Sequence, residues 1–146
     1  MIQLKKKELV QTISILYRYQ VIILNQRLAD YGIKTGLAPF ILSILDSPGI
    51  SQIKLSRELC IDKATTTKAV TKLIQGDFIE KVADKRDKRA FKLYITPKGK
   101  DLCKNITDVG RSFKAEILEG CSESDYKATL KVLDKILENM KNIMPH

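Results

Sequence analysis

Apolar residues near the start of the chain recur at three- and four-residue steps: Leu9, Ile13, Leu16, Tyr17, Val21, Leu24, Leu28 and Tyr31. That period marks an amphipathic helix, and from about Leu4 to Tyr31 it predicts one far longer than a single core face needs. Gly32 is placed to end it as a C-terminal glycine. Thr35 then predicts the N-cap of a second helix running to about Leu45, with Phe40, Ile41, Ile44 and Leu45 on its apolar side. Pro39 is awkward in that frame because its missing N–H removes an early helical bond, so a later start is the alternative.

Ser47-Pro48-Gly49 breaks the chain. Ser51 predicts the cap of a short third helix to about Cys60, which offers Ile53, Leu55 and Leu59 to the core. Asp62 predicts the cap of a fourth, from Lys63 to about Gln75. Ala69, Val70, Leu73 and Ile74 share one side of it, while Lys63, Thr67 and Thr71, flanked by Lys68 and Lys72, face away. After Gly76-Asp77 the period changes. Phe78 to Val82 and the alternating run Phe91 to Ile95 predict the two strands of a hairpin.

Thr96-Pro97 is a strong helix start, a capping side chain followed by proline at the first helical position. The fifth helix runs to about Leu118 on a stripe of Leu102, Ile106, Val109, Phe113 and Ile117. Gly120 to Ser122 interrupts it. Ser122 with Asp125 resembles a capping box, with Ser124 as the alternative cap. Tyr126, Leu130, Leu133, Leu137 and Met140 then form a nearly heptad stripe on the last helix. These stripes and the long first helix exceed what one small core can cover, and the surplus predicts a homodimer.

At 146 residues the chain is most simply a single domain with a real core. It has no run of 18 or more apolar residues, which argues against a membrane span. Met1 to Lys7 lacks the apolar stretch of a signal peptide, so a cytoplasmic location is expected. Cys60, Cys103 and Cys121 are odd in number and share no CxxC spacing, which fits reduced, partly buried thiols rather than a disulfide framework or zinc site. The single histidine is His146. That removes nearly all histidine-based acid–base chemistry and multi-histidine metal sites, and no cofactor is expected. Metal triads, nucleophile–base pairs and phosphate-cradling glycine loops are missing too, so the pattern is not that of an enzyme.

Charge changes the picture because of where it falls. The formal net charge is +9, and residues 51–100 hold 13 basic against 6 acidic side chains, whereas the other 96 positions hold 13 against 11. Localised positive charge is the electrostatic footprint of a nucleic-acid binder. Between the two strands lies Asp84-Lys85-Arg86-Asp87-Lys88-Arg89. A hairpin tip crowds four cations where something anionic meets them. A Lys- and Thr-rich helix followed by a basic hairpin is the order of a winged helix-turn-helix, one part for each groove of duplex DNA.

In that reading the fourth helix enters the major groove with Lys63, Thr65, Thr66, Thr67 and Lys68 near base edges or phosphates, and Thr71 and Lys72 further along. Lysine can bond guanine O6/N7, and threonine can bond a base or offer its methyl to thymine. Three consecutive β-branched residues have no intrinsic reason to cluster on a solvated helix face. Arg86 suits a narrow minor groove, with Lys85, Lys88 and Arg89 beside it. Asp84 and Asp87 are expected to fork toward Arg86 or Arg89, orienting the wing through ion pairs worth only ~0–1 kcal/mol each.

The run from Phe78-Ile79 through Asp84-Lys85-Arg86-Asp87-Lys88-Arg89 to Leu93-Tyr94-Ile95-Thr96-Pro97-Lys98-Gly99 and Leu102 resembles the signature of the MarR family of bacterial and archaeal regulators. That signature joins a D-x-R-D-x-R wing to an L-x-L/I/V-T-x-x-G-x-x-L step into the fifth helix. Ser51 to Leu59 is similar to the family's third helix. The resemblance implies a mainly α winged helix-turn-helix of about six helices plus a hairpin wing. It further implies dimerisation helices at 1–34 and 101–146, a DNA-binding lobe at 35–100, and pseudo-palindromic operators. Most members repress, and many release DNA when a small phenolic or anionic effector binds. Residue by residue, Arg86 matches the minor-groove arginine, and Asp84 and Arg89 the wing's structural acid and base. Tyr17, Arg18, Tyr31 and Phe40 are candidates either for an effector pocket or for the dimer core. The first helix lacks a sensor cysteine near its start and the chain lacks zinc-sensing histidines, so peroxide and zinc sensing of the family's type are not expected. The competing reading of the charge is a non-specific architectural DNA-binding protein.

Overall fold

The computed structural model describes residues 8–145, so the expected helix start at Leu4 and the terminal His146 lie outside the described residues. Helix α1 (Leu9–Leu28) ends in a 3-10 turn (Ala29–Tyr31), and Gly32 follows at φ 71°, the left-handed conformation that glycine adopts without a Cβ clash. A second 3-10 turn (Thr35–Leu37) leads into α2 (Ala38–Asp46). Thr35 is therefore not the cap of α2. Its backbone N–H donates to Asn25 Oδ1 at 2.8 Å, and the residue preceding α2 is Leu37. Pro39 falls in the first turn of α2, where an N–H has no intrahelical acceptor, so its awkwardness disappears with the later start.

Strand β1 (Ile50–Ser51), α3 (Gln52–Glu58), α4 (Lys63–Gln75), β2 (Ile79–Ala83), β3 (Phe91–Ile95), α5 (Pro97–Ile117) and α6 (Glu123–Ile143) complete the order. Ser51 caps α3, accepting the Lys54 N–H at 3.1 Å. The hairpin pairs Ile79 with Ile95 through Ala83 with Phe91, both ends in register. The β1 segment pairs Ile50 with Leu93 and Ser51 with Lys92, giving an antiparallel sheet ordered β1-β3-β2. Two residues are too few to show a period, which is why this strand leaves no mark in the pattern.

The chain divides into two compact units with the boundary after Gly110. The core of the first unit gathers Leu28, Phe40, Ile41, Ile44, Leu55, Leu73, Leu93, Leu102 and Ile106. Leu93 is 0% exposed because β3 is the middle strand. Ile53, expected in this core, is 54% exposed. Helix α3 instead turns Leu55 and Ser56 inward, and seven residues give too little length for the apolar stripe to fix its rotation.

In the second unit Ser122 caps α6, accepting the Asp125 N–H at 3.0 Å, which decides between the two candidate serines. No residue of α6 is buried. Leu130, Leu133, Leu137 and Met140 stand 40–52% exposed along it, at the positions of the nearly heptad stripe. Among the described residues no single helix is long and apolar enough to cross a membrane.

Candidate nucleic-acid interface

Asp62 organises the start of α4. Its Oδ1 accepts the Thr65 N–H at 2.7 Å and its Oδ2 accepts the Thr65 hydroxyl at 2.8 Å. Those two donors, the backbone one first, hold the Asp62 carboxyl below its ordinary value. The neighbouring threonines are also locally engaged. Thr66 is fully buried and its hydroxyl donates to the Asp62 carbonyl at 2.9 Å, while Thr67 Oγ1 donates to the Lys63 carbonyl at 2.9 Å. Thr66 is thus removed from the DNA-contact set, because a side chain inside the core cannot reach a base. The threonine cluster has a local cause as well, since hydroxyls of this kind bond to the preceding turn.

Lys63, Thr65, Thr67, Lys68, Thr71 and Lys72 remain exposed on α4. Gln52, at the first position of α3, donates from Nε2 to Thr67 Oγ1 at 2.7 Å and pins α3 to α4 beside this face. Nothing in the spacing of the chain singles Gln52 out, because the bond spans fifteen positions.

The wing is built by backbone bonds, not by the expected ion pairs. Asp84 Oδ1 accepts the Arg86 N–H at 2.9 Å, and Asp87 Oδ1 accepts the Arg89 N–H at 3.0 Å. These are Asx turns, in which a carboxylate replaces a carbonyl two residues back. Further bonds run from the Asp84 N–H to the Ala90 carbonyl and from the Ala90 N–H to the Asp87 carbonyl. Lys85, Arg86, Lys88 and Arg89 are all exposed. Below the tip, Lys81 Nζ lies 4.2 Å from the Phe91 ring centroid and covers that exposed aromatic.

Thr96, Pro97, Lys98 and Gly99 staple the end of α4 to the start of α5. Thr96 Oγ1 donates to the Asp77 carbonyl at 2.6 Å and accepts the Gly99 N–H at 3.0 Å. Lys98 Nζ donates to the Gly76 carbonyl at 2.9 Å, at the C-terminal end of α4, where a cation also suits the helix dipole. The same ammonium sits 4.9 Å from the Phe78 ring centroid. Motif spacing marks these residues as a helix start, whereas their bonds across some twenty positions are tertiary.

A cavity of about 860 Å³ opens in the first unit beside α4. Tyr17 and Phe40 line it, but Arg18 and Tyr31 do not. Arg18 donates to Ser14 Oγ at 2.8 Å on the exposed side of α1, and Tyr31 stands 41% exposed. Phe40 belongs equally to the core of this unit. Cys103 is buried, whereas Cys60 and Cys121 are exposed, which corrects the expectation of three partly buried thiols. Among the described residues no group of three or more His, Cys, Asp or Glu is placed to hold a metal ion.

Residues 40–91 match the model of the MarR family. The chain is 31% identical over 106 residues to the HTH-type transcriptional regulator BilQ of Clostridioides difficile, covering 73% of this chain and 72% of that protein. Its fold matches a MarR transcriptional regulator from Methanosarcina mazei at a TM-score of 0.84 and 30% identity, over 92% of this chain and 97% of that one. A mutant MarR from E. coli complexed with operator DNA shares the fold at a TM-score of 0.82 and 21% identity, over 88% and 93% of the two chains. On sequence identity, coverage and fold taken together, the chain belongs to the MarR family of transcriptional regulators.

Proposed function

We propose that this chain is a homodimeric, sequence-specific repressor that binds pseudo-palindromic duplex DNA and leaves it when a small anionic or phenolic effector binds. One observation carries the reading. A helix with six exposed Lys and Thr side chains is followed by a wing whose carboxylates bond backbone N–H groups, so that the Arg86 and Arg89 guanidiniums have no ion-pair partner among the described residues. The winged lobe spans 35–100, with α4 in the major groove and Arg86 in the minor groove. Lys85 and Lys88 contact phosphates. A MarR protein solved on operator DNA shares the fold, which supports this placement.

The segments 1–34 and 101–146 form the dimerisation region. Support comes from large apolar residues left exposed on α1, among them Leu9, Leu16 and Ile22, and on α6, among them Leu133, Leu137 and Ile143. A second copy covers them. In the dimer the two recognition helices stand ~34–36 Å apart, one turn of duplex.

Selection of bound sequences from a randomised duplex library tests the proposal, and a pseudo-palindromic consensus is expected. Binding to that consensus survives excess random duplex, whereas architectural binding through charge alone does not. The affinity falls with salt, with a log–log slope of about −0.9 for each phosphate contacted. Arg86→Ala weakens binding by about 1–3 kcal/mol without changing the dimer measured by sedimentation. Normal consensus binding by that variant removes the wing from the interface.

A further inference from the structure

The successive threonines of α4 have already committed their hydroxyl hydrogens. Thr65 Oγ1 donates to Asp62 Oδ2 at 2.8 Å, Thr66 Oγ1 to the Asp62 carbonyl at 2.9 Å, and Thr67 Oγ1 to the Lys63 carbonyl at 2.9 Å. A hydroxyl has a single hydrogen and two lone pairs, so none of them has a proton left for a guanine, a thymine carbonyl or a phosphate. Thr66 is buried, and Thr65 is tied to the Asp62 cap through both its N–H and its hydroxyl. Thr67 is exposed, within the N-terminal part of α4 that meets base edges in a helix-turn-helix.

Thr67 is also held from a second element. Its hydrogen goes to Lys63, so in its 2.7 Å contact with Gln52 the amide Nε2 must donate to a lone pair of Oγ1. Turning that hydroxyl outward would break both bonds at once. The oxygen is thus engaged by the Lys63 carbonyl and the Gln52 amide, and the methyl is the part of Thr67 with no polar engagement. A threonine methyl complements the C5-methyl that marks thymine in the major groove.

We infer that Thr67 reads a thymine through its methyl group and not its hydroxyl, and that Gln52 of α3 is the positioning residue that holds it so. The inference rests on the proposed placement of α4 in the major groove, and it names the base and the group that reads it. The contact is apolar, so it adds nothing to the salt slope, which phosphate contacts set. Removing the methyl from the protein or from the DNA costs the same binding. Removing both costs no more than removing one, the mark of a coupled pair.

The test uses the full-length protein and the consensus duplex selected from the randomised library, with each thymine replaced in turn by 2′-deoxyuridine, which lacks only the C5-methyl. At one thymine in each half-site, wild-type affinity is expected to fall about three- to tenfold, the order expected for losing a buried methyl contact. Thr67→Ser, which keeps the hydroxyl, binds the thymine duplex as weakly as wild type binds the uracil one and no longer distinguishes the two. Thr67→Val, which keeps a methyl and loses the hydroxyl, retains the preference. Gln52→Ala, checked for fold by circular dichroism, lowers the thymine-over-uracil ratio at that position and at no other, with the salt slope unchanged. A general loss of stability would not single out one base.

Three results overturn the inference: no thymine whose replacement weakens binding, a Thr67→Ser variant that keeps the full thymine preference, or a Thr67→Val variant that loses it. The last would make the hydroxyl the reader. An unchanged ratio in Gln52→Ala overturns the positioning role of Gln52. If selection returns no consensus at all, the sequence-specific reading has failed and the inference falls with it. A consensus whose thymines all tolerate uracil leaves that reading standing and removes only the methyl contact.

Discussion

The backbone of Gly99 passes against the carbonyl oxygen of Phe78 so closely that a Cβ at position 99 would collide with it. Glycine is required there by proximity, because α5 must start directly on the turn that ends α4. The Thr96 N–H, donating to the same carbonyl at 3.1 Å, keeps the two segments together.

Gly99→Ala is therefore expected to destabilise the protein by about 1–3 kcal/mol or more, the usual cost of forcing atoms into a packed site. Urea denaturation measures it. A variant as stable as wild type would show that the turn can move aside.

The Asp62 cap gives stability a pH dependence of known sign. Thr65 donors hold the folded-state carboxyl below its unfolded value, so the contribution is present above the unfolded value and is lost as pH falls through the folded one. Asp62→Asn keeps a capping oxygen but cannot titrate. As pH falls through and below the ordinary carboxylate range, wild type should lose stability relative to that variant, as followed by thermal melts. Parallel curves would refute the assignment.

At the wing, Asp84→Ala and Asp84→Asn remove the same charge but differ in the acceptor for the Arg86 N–H. The asparagine variant should bind DNA about two- to tenfold more tightly than the alanine variant, the worth of one net hydrogen bond that orders the loop. Fluorescence anisotropy with one duplex at one salt concentration makes the comparison. Equal affinities would mean that the Asx turn does not orient Arg86.

Thiol chemistry distinguishes the three cysteines. Burial, with a smaller effect from the charge of Asp46, pushes the Cys103 thiol up to about 11, so it stays protonated at neutral pH. An aromatic disulfide reagent at pH 8 should titrate two thiols in the folded protein, Cys60 and Cys121, and the third only after unfolding. Three fast thiols would place Cys103 in a segment that opens readily.

Much of the fold is legible in the chain itself. The caps at Ser51, Asp62, Thr96 and Ser122 follow from local signals, and each makes the expected bond because a cap involves residues only three positions apart. The hairpin strands are legible in the same way, from a period of two and a charged interruption. Thr35 misleads because a capping residue type does not show that the chain makes a 3-10 turn at Thr35–Leu37 before α2 begins. Thr66 misleads because residue type does not tell which side of α4 meets the core.

By itself the sequence determined the order of the six helices and the hairpin, four of the caps, the basic hairpin tip and the family motif, all of which rest on neighbours a few positions apart. Only the tertiary structure decided that Thr66 and Cys103 are interior, that Ile53 is not, and that Ile50-Ser51 completes a sheet with β3. It also decided that Gln52 and Lys98 brace α4 from two sides, and that Lys68 and Lys72 border a cavity while belonging to an exposed helix face. Those relationships join residues far apart in the chain. They depend on how each helix is rotated against the core, which periodicity leaves free by tens of degrees.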